Sequence, residues 1–157
     1  MSFLEKHKTA FAAIALLARL YIGGVFIMAS LYKIWEPYDF ALSVATYQMA
    51  PLWTINIFVI ILPWLELITG ILIIIGLWTK ESAFLISCMM VMFLVSLSFA
   101  LSKDLQMSCG CFASQETFDE IGIHTIFRDL GWLSVSLFVL FFDNGHFGLD
   151  RFLFRNK

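Results

Sequence analysis

Long apolar segments separated by short polar links dominate the pattern of this chain. Residues 9–32 contain one charged side chain, Arg19, and residues 52–78 also contain one, Glu66. Residues 82–102 contain none. Each segment reaches the roughly 20 residues that an α-helix needs to cross a bilayer. The pattern therefore predicts at least three transmembrane helices.

A fourth apolar segment is interrupted by charge. Residues 130–142 are free of charged side chains, but residues 121–129 carry His124, Arg128 and Asp129. We interpret the two halves as one span that starts in the outer membrane interface. The predicted spans cover residues 9–34, 53–78, 82–102 and 122–142. The expected fold class is all-α, a single integral membrane domain built as a four-helix bundle.

The links between the spans are short. After the first span, Phe40, Val44 and Tyr47 recur at i, i+4 and i+7, which is the spacing of one helix face. We predict a short helix over residues 38–50, lying in the outer interface, with an ordered loop as the alternative. A tight turn at residues 79–81 is expected to make the second and third spans pack antiparallel.

The composition also indicates that the chain lies in a lipid bilayer. The 157 residues are 61% hydrophobic and 14% charged, whereas soluble domains are about 45–50% apolar. The net charge is −2, and the basic side chains do not form a patch. Nothing in the sequence therefore indicates nucleic-acid binding.

The distribution of Lys and Arg predicts the orientation in the membrane, because basic residues favour the cytoplasmic side. One side carries Lys6, Lys8, Lys80, Arg151, Arg155 and Lys157. The other side carries Lys33 and Lys103, with Arg128 close to the membrane. Both termini are thus predicted to be cytoplasmic. In a bacterium, the chain would lie in the inner membrane, with the link at residues 103–121 facing the periplasm.

That link contains Cys109-Gly110-Cys111, the strongest chemical motif of the chain. A disulfide across one intervening residue closes a very small ring, and glycine best tolerates the backbone bend. Strained disulfides are more reducible, and the labile ones are catalytic or regulatory. We therefore interpret Cys109 and Cys111 as a catalytic redox pair, with a structural pair as an alternative. The third cysteine, Cys88, lies in an apolar span and is expected to be an inert packing residue.

Metal binding is the second interpretation of the same link. Met107, Cys109 and Cys111 offer one thioether and two thiolates, a set of soft ligands that suits Cu(I). Zinc fits less well, because a closed zinc site needs four ligands.

Ionisable side chains within a span are candidates for function. Arg19 and Glu66 either neutralise each other between helices or bind a ligand. Lys33 and Arg128 are expected at the outer membrane surface near the dithiol, where a cation would favour thiolate. For Lys33, contact with lipid headgroups is the alternative.

Several motifs together resemble a known family of membrane proteins. They are Arg19, Gly23-Gly24, Lys33, Pro63-Trp64-Leu65-Glu66-Leu67-Ile68-Thr69-Gly70, Cys109-Gly110-Cys111-Phe112 and Arg128-Asp129. This arrangement resembles the DoxX-like membrane proteins, in particular their MauE (methylamine utilisation) branch. Relatives usually have glycine and asparagine where this chain has Ala113 and Asp129.

The resemblance implies a four-helix inner-membrane protein that acts in redox maturation outside the cytoplasm. It implies a thiol/disulfide oxidoreductase that exchanges electrons between a periplasmic thioredoxin-like partner and a membrane quinone, with no covalent cofactor. Trp35, Trp64 and Phe112 would then wall the quinone site. A helper subunit of a membrane complex, whose cysteines have no catalytic role, is the remaining alternative.

Overall fold

The computed structural model describes residues 3–46, 52–102, 123–143 and Gly148. The regular structure in these ranges is helical. The five helices are α1 (Phe3–Trp35), α2 (Pro37–Thr46), α3 (Leu52–Ile75), α4 (Thr79–Ser102) and α5 (Ile123–Phe142). The link with Cys109 and Cys111 lies outside the described residues.

Four of these helices are long and apolar enough to cross a membrane. The candidate spans are Phe11–Trp35, Thr54–Ile75, Thr79–Ser102 and His124–Phe142. Helices suit this setting because a bilayer offers no water to the backbone, so each N–H and C=O must pair within the chain. The predicted all-α membrane fold is confirmed, and the orientation of the termini stays a prediction.

The four spans form a closed ring in which neighbours run antiparallel. α1 packs against α3 and α5, and α4 packs against the same two helices from the opposite side. Arg19 of α1 contacts the end of α3 at Ile73, whereas Lys33 of the same helix contacts Glu66 earlier in α3. An up-and-down bundle therefore results. α1 ends, α3 begins, α4 ends and α5 begins at one end, which we call the link end.

The centre of the bundle is apolar, and so is much of its outer surface. Ile22, Ile73, Ile86 and Val139 are fully buried at the centre. Large side chains on the outside are also apolar, including Leu17 at 66% exposed. A surface of this kind suits contact with lipid chains. The described structure therefore supports the bilayer as the surrounding medium.

The short helix between the first two spans is present as α2. It begins with Pro37, whose fixed φ and missing N–H suit the first turn of a helix, and Asp39 lies in that turn. Phe40 is 3% exposed and belongs to the core cluster, with Val44 packed against it. The predicted helix is confirmed in place of the loop, and Tyr47 lies outside the described residues.

The turn between α3 and α4 corrects one sequence boundary. It occupies residues 76–78, three residues before the predicted turn at 79–81. Gly76 has φ 76° and Trp78 has φ 49°. A glycine in the left-handed region commonly ends a helix, and here it ends α3 at Ile75. Thr79 then begins α4 directly.

α1 and α3 approach each other closely where two glycines face each other. A Cβ atom at Gly23 would lie 2.9 Å from the carbonyl oxygen of Gly70 and 2.5 Å from Ile74 Cγ1. A Cβ atom at Gly70 would lie 3.1 Å from the carbonyl oxygen of Gly23. The neighbouring Gly24 has no atom within 4 Å of such a position. Gly23 is therefore required by packing, and Gly24 is not.

We expect Gly23→Ala to destabilise the bundle by about 1–3 kcal/mol, the usual cost of overpacking a tight contact. Gly24→Ala is the matched control and should leave stability unchanged or slightly raised, because alanine is the better helix former. Thermal unfolding of both variants in detergent measures the difference. Equal stability of the two variants would contradict the close approach of α1 and α3.

Candidate functional site

The predicted redox pair belongs to the link between α4 and α5. This link leaves α4 after Ser102 and enters α5 at Ile123, so both attachment points lie at the link end of the bundle. Cys109, Cys111, Met107 and Phe112 themselves are outside the described residues. The part of the site that the structure describes is therefore the helices to which this link is attached.

A buried ion pair joins α1 to α3. Lys33 Nζ donates to both carboxylate oxygens of Glu66, at 2.6 Å and 2.8 Å. Each side chain is 2% exposed. The ammonium also lies 5.3 Å from the ring centroid of Phe40 and 4.7 Å from that of Phe93. Aromatic faces attract cations, so the two rings add to the stabilisation that Glu66 gives the ammonium.

The buried position of Lys33 contradicts the prediction that it lies at the membrane surface. Its place near the end of α1 suggested exposure to headgroups. However, α2 follows at once after Trp35, and its Phe40 covers the ammonium. The sequence contains one signal of this burial, the carboxylate of Glu66 in the next span, because a lysine in hydrocarbon needs an opposite charge beside it.

α5 adds a second carboxylate to the same region. Arg128 Nε donates to Asp129 Oδ1 at 3.2 Å, and the two side chains are 34% and 3% exposed. The Arg128 guanidinium carbon lies 4.7 Å from the ring centroid of Trp132. Asp129 thus points inward while Arg128 lies at the edge. Lys33, Glu66 and Asp129 together form what we call the charge cluster.

The charge cluster borders a small, partly open cavity. Its volume is about 30 Å³, and Lys33, Glu66 and Asp129 all line it. Apolar side chains such as Phe26 and Met90 form the remaining walls, so all four spans contribute. One water needs roughly 10–15 Å³ on this measure. A cavity of this volume has room for one or two water molecules.

Arg19 does not pair with Glu66, which corrects the sequence hypothesis. Arg19 Nη1 donates to Asp143 Oδ2 at 3.3 Å, at the far end of the bundle. Arg19 and Lys33 are 14 residues apart on α1, or about 21 Å along the helix. The Glu66 carboxylate contacts Lys33 and is therefore out of reach of Arg19. Asp143, which follows α5 directly, is the charged partner that the span analysis missed.

Arg19 also caps the end of α3. Its Nε donates to the carbonyl of Ile73 at 2.9 Å, and its Nη2 donates to that of Ile74 at 3.4 Å. The last carbonyls of a helix have no intrahelical donor. One guanidinium therefore satisfies two backbone acceptors and one carboxylate, which accounts for arginine at a position that is 1% exposed.

The aromatic residues proposed for a quinone site lie on the outside of the bundle. Trp35 is 79% exposed and Trp64 is 54% exposed. The cavity at the charge cluster does not include either of them. A quinone at Trp35, Trp64 and Phe112 stays a prediction, and in the described part it would be a surface contact.

Cys88 lies on the exposed side of α4, contrary to its predicted packing role. It lines an apolar groove between α3 and α4 with Leu65 and Met92. α4 carries apolar residues all round, so hydropathy does not distinguish its lipid side from its core side.

Within the described ranges, His, Cys, Asp and Glu form no group of three that could hold a metal ion. The Cu(I) ligands proposed from sequence, Met107, Cys109 and Cys111, lie outside those ranges. The metal hypothesis therefore stays as open as the redox hypothesis.

These features define an integral membrane bundle of four helices with buried ion pairs near both ends. The profile of the family described as methylamine utilisation protein MauE matches residues 11–142, and the chain belongs to this family. The chain is 27% identical over 131 residues to methylamine utilization protein MauE of Methylophilus methylotrophus. This alignment covers 80% of the chain and 67% of the relative. No solved structure matches the chain.

The Lys33–Glu66 pair gives a test by double substitution. Glu66→Leu or Lys33→Met alone leaves one buried charge unpaired, which costs about 3–5 kcal/mol. The double variant removes both charges and should be clearly more stable than either single variant. Glu81→Gln, at an exposed carboxylate, is the control and should have no effect. Thermal unfolding of the five proteins gives the coupling energy, and additive losses would contradict the pair.

At the other end of the bundle, we expect Arg19→Lys to lower stability although it keeps the charge. One ammonium cannot reach Asp143 and both carbonyls, and each buried group left unpaired costs about 1–3 kcal/mol. Lys80→Arg, on the exposed start of α4, is the matched control. Unfolding in detergent measures both, and an Arg19→Lys variant as stable as the wild type would contradict the capping role.

Proposed function

We propose that this protein is a membrane thiol/disulfide oxidoreductase of methylamine utilisation, with Cys109 and Cys111 as its redox pair. The observation that carries the proposal is a Cys-Gly-Cys motif between two spans of a chain that belongs to the MauE family. The name of the relative supplies the metabolic setting. The chain would lie in a bacterial inner membrane with this motif on the periplasmic side.

The small ring supports exchange chemistry over a structural role. A disulfide stabilises a fold mainly by closing a long loop of the unfolded chain. A disulfide across one intervening residue closes almost no loop, so it would add little stability. Strain in such a ring raises its tendency to be reduced. A bond of this kind suits repeated opening and closing.

The electron balance requires two partners. A dithiol of a periplasmic thioredoxin-like protein attacks the Cys109–Cys111 disulfide, so the partner becomes oxidised and both cysteines become thiols. Two electrons and two protons then pass from these thiols to a membrane quinone, which becomes a quinol, and the disulfide forms again. The helices below the link bring this chemistry to the bilayer, where the quinone is dissolved.

Of the two cations proposed to favour thiolate, Arg128 fits the role better. It lies in the second turn of α5, near the entry of the link, and its side chain is 34% exposed. A cation near a thiol favours the thiolate form. Lys33 is enclosed and paired with Glu66, so we assign it a different role.

Substitution of the cysteines tests the proposal. Cys109→Ser and Cys111→Ser should each abolish disulfide formation in a reduced thioredoxin-like substrate, measured with purified protein and quinone in lipid vesicles. Cys88→Ser is the matched control and should keep full activity, because Cys88 lies in the lipid-facing groove. Full turnover in both link variants would contradict the proposal.

Three further measurements distinguish the alternatives. Copper that copurifies at one equivalent and is lost in Cys109→Ser would favour Cu(I) binding through Met107, Cys109 and Cys111. Full complementation of a deletion strain by a double Cys→Ser variant would favour a helper subunit. Alkylation in cells with and without quinone should show oxidised cysteines only when quinone is present.

A further inference from the structure

A second cavity lies between α3 and α4, on the outside of the bundle. Its volume is about 380 Å³, against about 30 Å³ for the cavity at the charge cluster. Leu62 and Met89 line it and are buried, whereas Ile61 and Leu85 line it and are exposed. The cavity is therefore a groove with a buried floor and an exposed rim on each helix, and we call it the α3–α4 groove.

The groove lies at a loose contact between helices. α3 packs less extensively against α4 than against α1, where Gly23 and Gly70 let the backbones approach. The stretch of α3 that lines the groove also contains Pro63. A proline inside a helix removes one backbone hydrogen bond and commonly bends the helix. The packing of α3 against α4 therefore leaves space that side chains of this pair do not fill.

The groove crosses the middle of the membrane-spanning part. On α3 it extends from Ile57 to Leu65, which are about 8 Å and 20 Å from the start of that helix. On α4 it extends from Met92 to Leu85, about 15 Å and 26 Å from the end of that helix at Ser102. Both measurements start at the link end, and the hydrocarbon core of a bilayer is about 30 Å thick. Lipid chains therefore surround the groove.

The lining of the groove suits hydrocarbon and little else. In the described residues, the thiol of Cys88 is the one polar side-chain group among otherwise apolar walls, and a thiol is a weak donor. Water needs two or more polar partners, so it does not fill such a space. A quinone ring would need donors for its carbonyl oxygens, whereas an acyl chain needs only dispersion contacts. The chemistry of the walls thus favours an acyl chain.

We propose that the α3–α4 groove is a binding site for one acyl chain of a membrane phospholipid. A chain in the groove contacts the floor and both rims, whereas a chain on a convex helix surface contacts protein on one side. More contacts hold the chain more tightly than bulk lipid. Met89 and Met92 have flexible, polarisable thioethers that adapt to such a chain. The inference goes beyond the proposed redox function and uses neither Cys109 nor Cys111.

Native mass spectrometry of the full-length protein, purified from membranes in detergent, tests the site. Ile61→Trp puts a larger side chain on the rim and should fill the groove. Ile60→Trp is the matched control, because Ile60 is 65% exposed and Ile61 57%, and Ile60 does not line the groove. The wild type and Ile60→Trp should retain one phospholipid. Ile61→Trp should retain about tenfold less, the loss expected when about two methylene groups lose their contacts. Equal retention by all three proteins would overturn the proposal.

A second measurement uses the wild type alone and does not depend on how a variant folds. Phospholipid with chains of ordinary length, added to delipidated protein, should raise the Tm, because a ligand of the folded state stabilises it. Phospholipid with the same headgroup and chains too short to reach the groove should not raise it. The same rise with both lipids would contradict binding of the chain. A rise with a long-tailed isoprenoid quinone but not with phospholipid would assign the groove to a quinone tail and also overturn the proposal.

Discussion

The absence of water inside a bilayer is the constraint on which this structure depends. A lysine ammonium placed there has to meet an opposite charge within the protein. Lys33 meets Glu66 across the α1–α3 interface, and both side chains are 2% exposed. This contact joins the two helices close to the end of α1. Phe40 of α2 lies beside the same ammonium, with its ring centroid 5.3 Å from Lys33 Nζ.

The same constraint shapes the opposite end of the bundle. α3 ends at Ile75, which leaves the carbonyls of its last turn without helical donors. Arg19 reaches two of them and pairs with Asp143, so α1, α3 and the residue after α5 are held together by one side chain. Between the two polar ends, Gly23 and Gly70 let the helix backbones approach closely. Small residues serve this purpose in membranes, where lipid chains reduce the hydrophobic drive for helix association.

Much of this fold is predictable from the sequence, and the failures have a common cause. The lengths of the apolar segments predict the four spans, and the spacing of Phe40 and Val44 predicts α2. The partner of Arg19 was predicted wrongly and the burial of Lys33 was not predicted, because span analysis gives the depth of a charge and not its neighbour. Pairing depends on the register of antiparallel helices, which is set by Gly23 against Gly70 and by where Gly76 ends α3. Cys88 shows a related limit, since an α-helix that is apolar all round gives no sign of which side meets lipid.

The position of the charge cluster gives a physical reason to connect it with chemistry at the link end. Glu66 lies 14 residues into α3, about 21 Å from its start, whereas Asp129 lies six residues into α5, about 9 Å from its start. Lys33, which contacts Glu66, lies two residues before the end of α1, so the cluster joins the inner part of α3 to the link end of α1. The Lys33–Glu66 pair joins α1 to α3, and Asp129 of α5 lines the same cavity. These charges therefore hold together helices to which the link and its neighbouring segments are attached, because α1 ends and α3 and α5 begin at the link end.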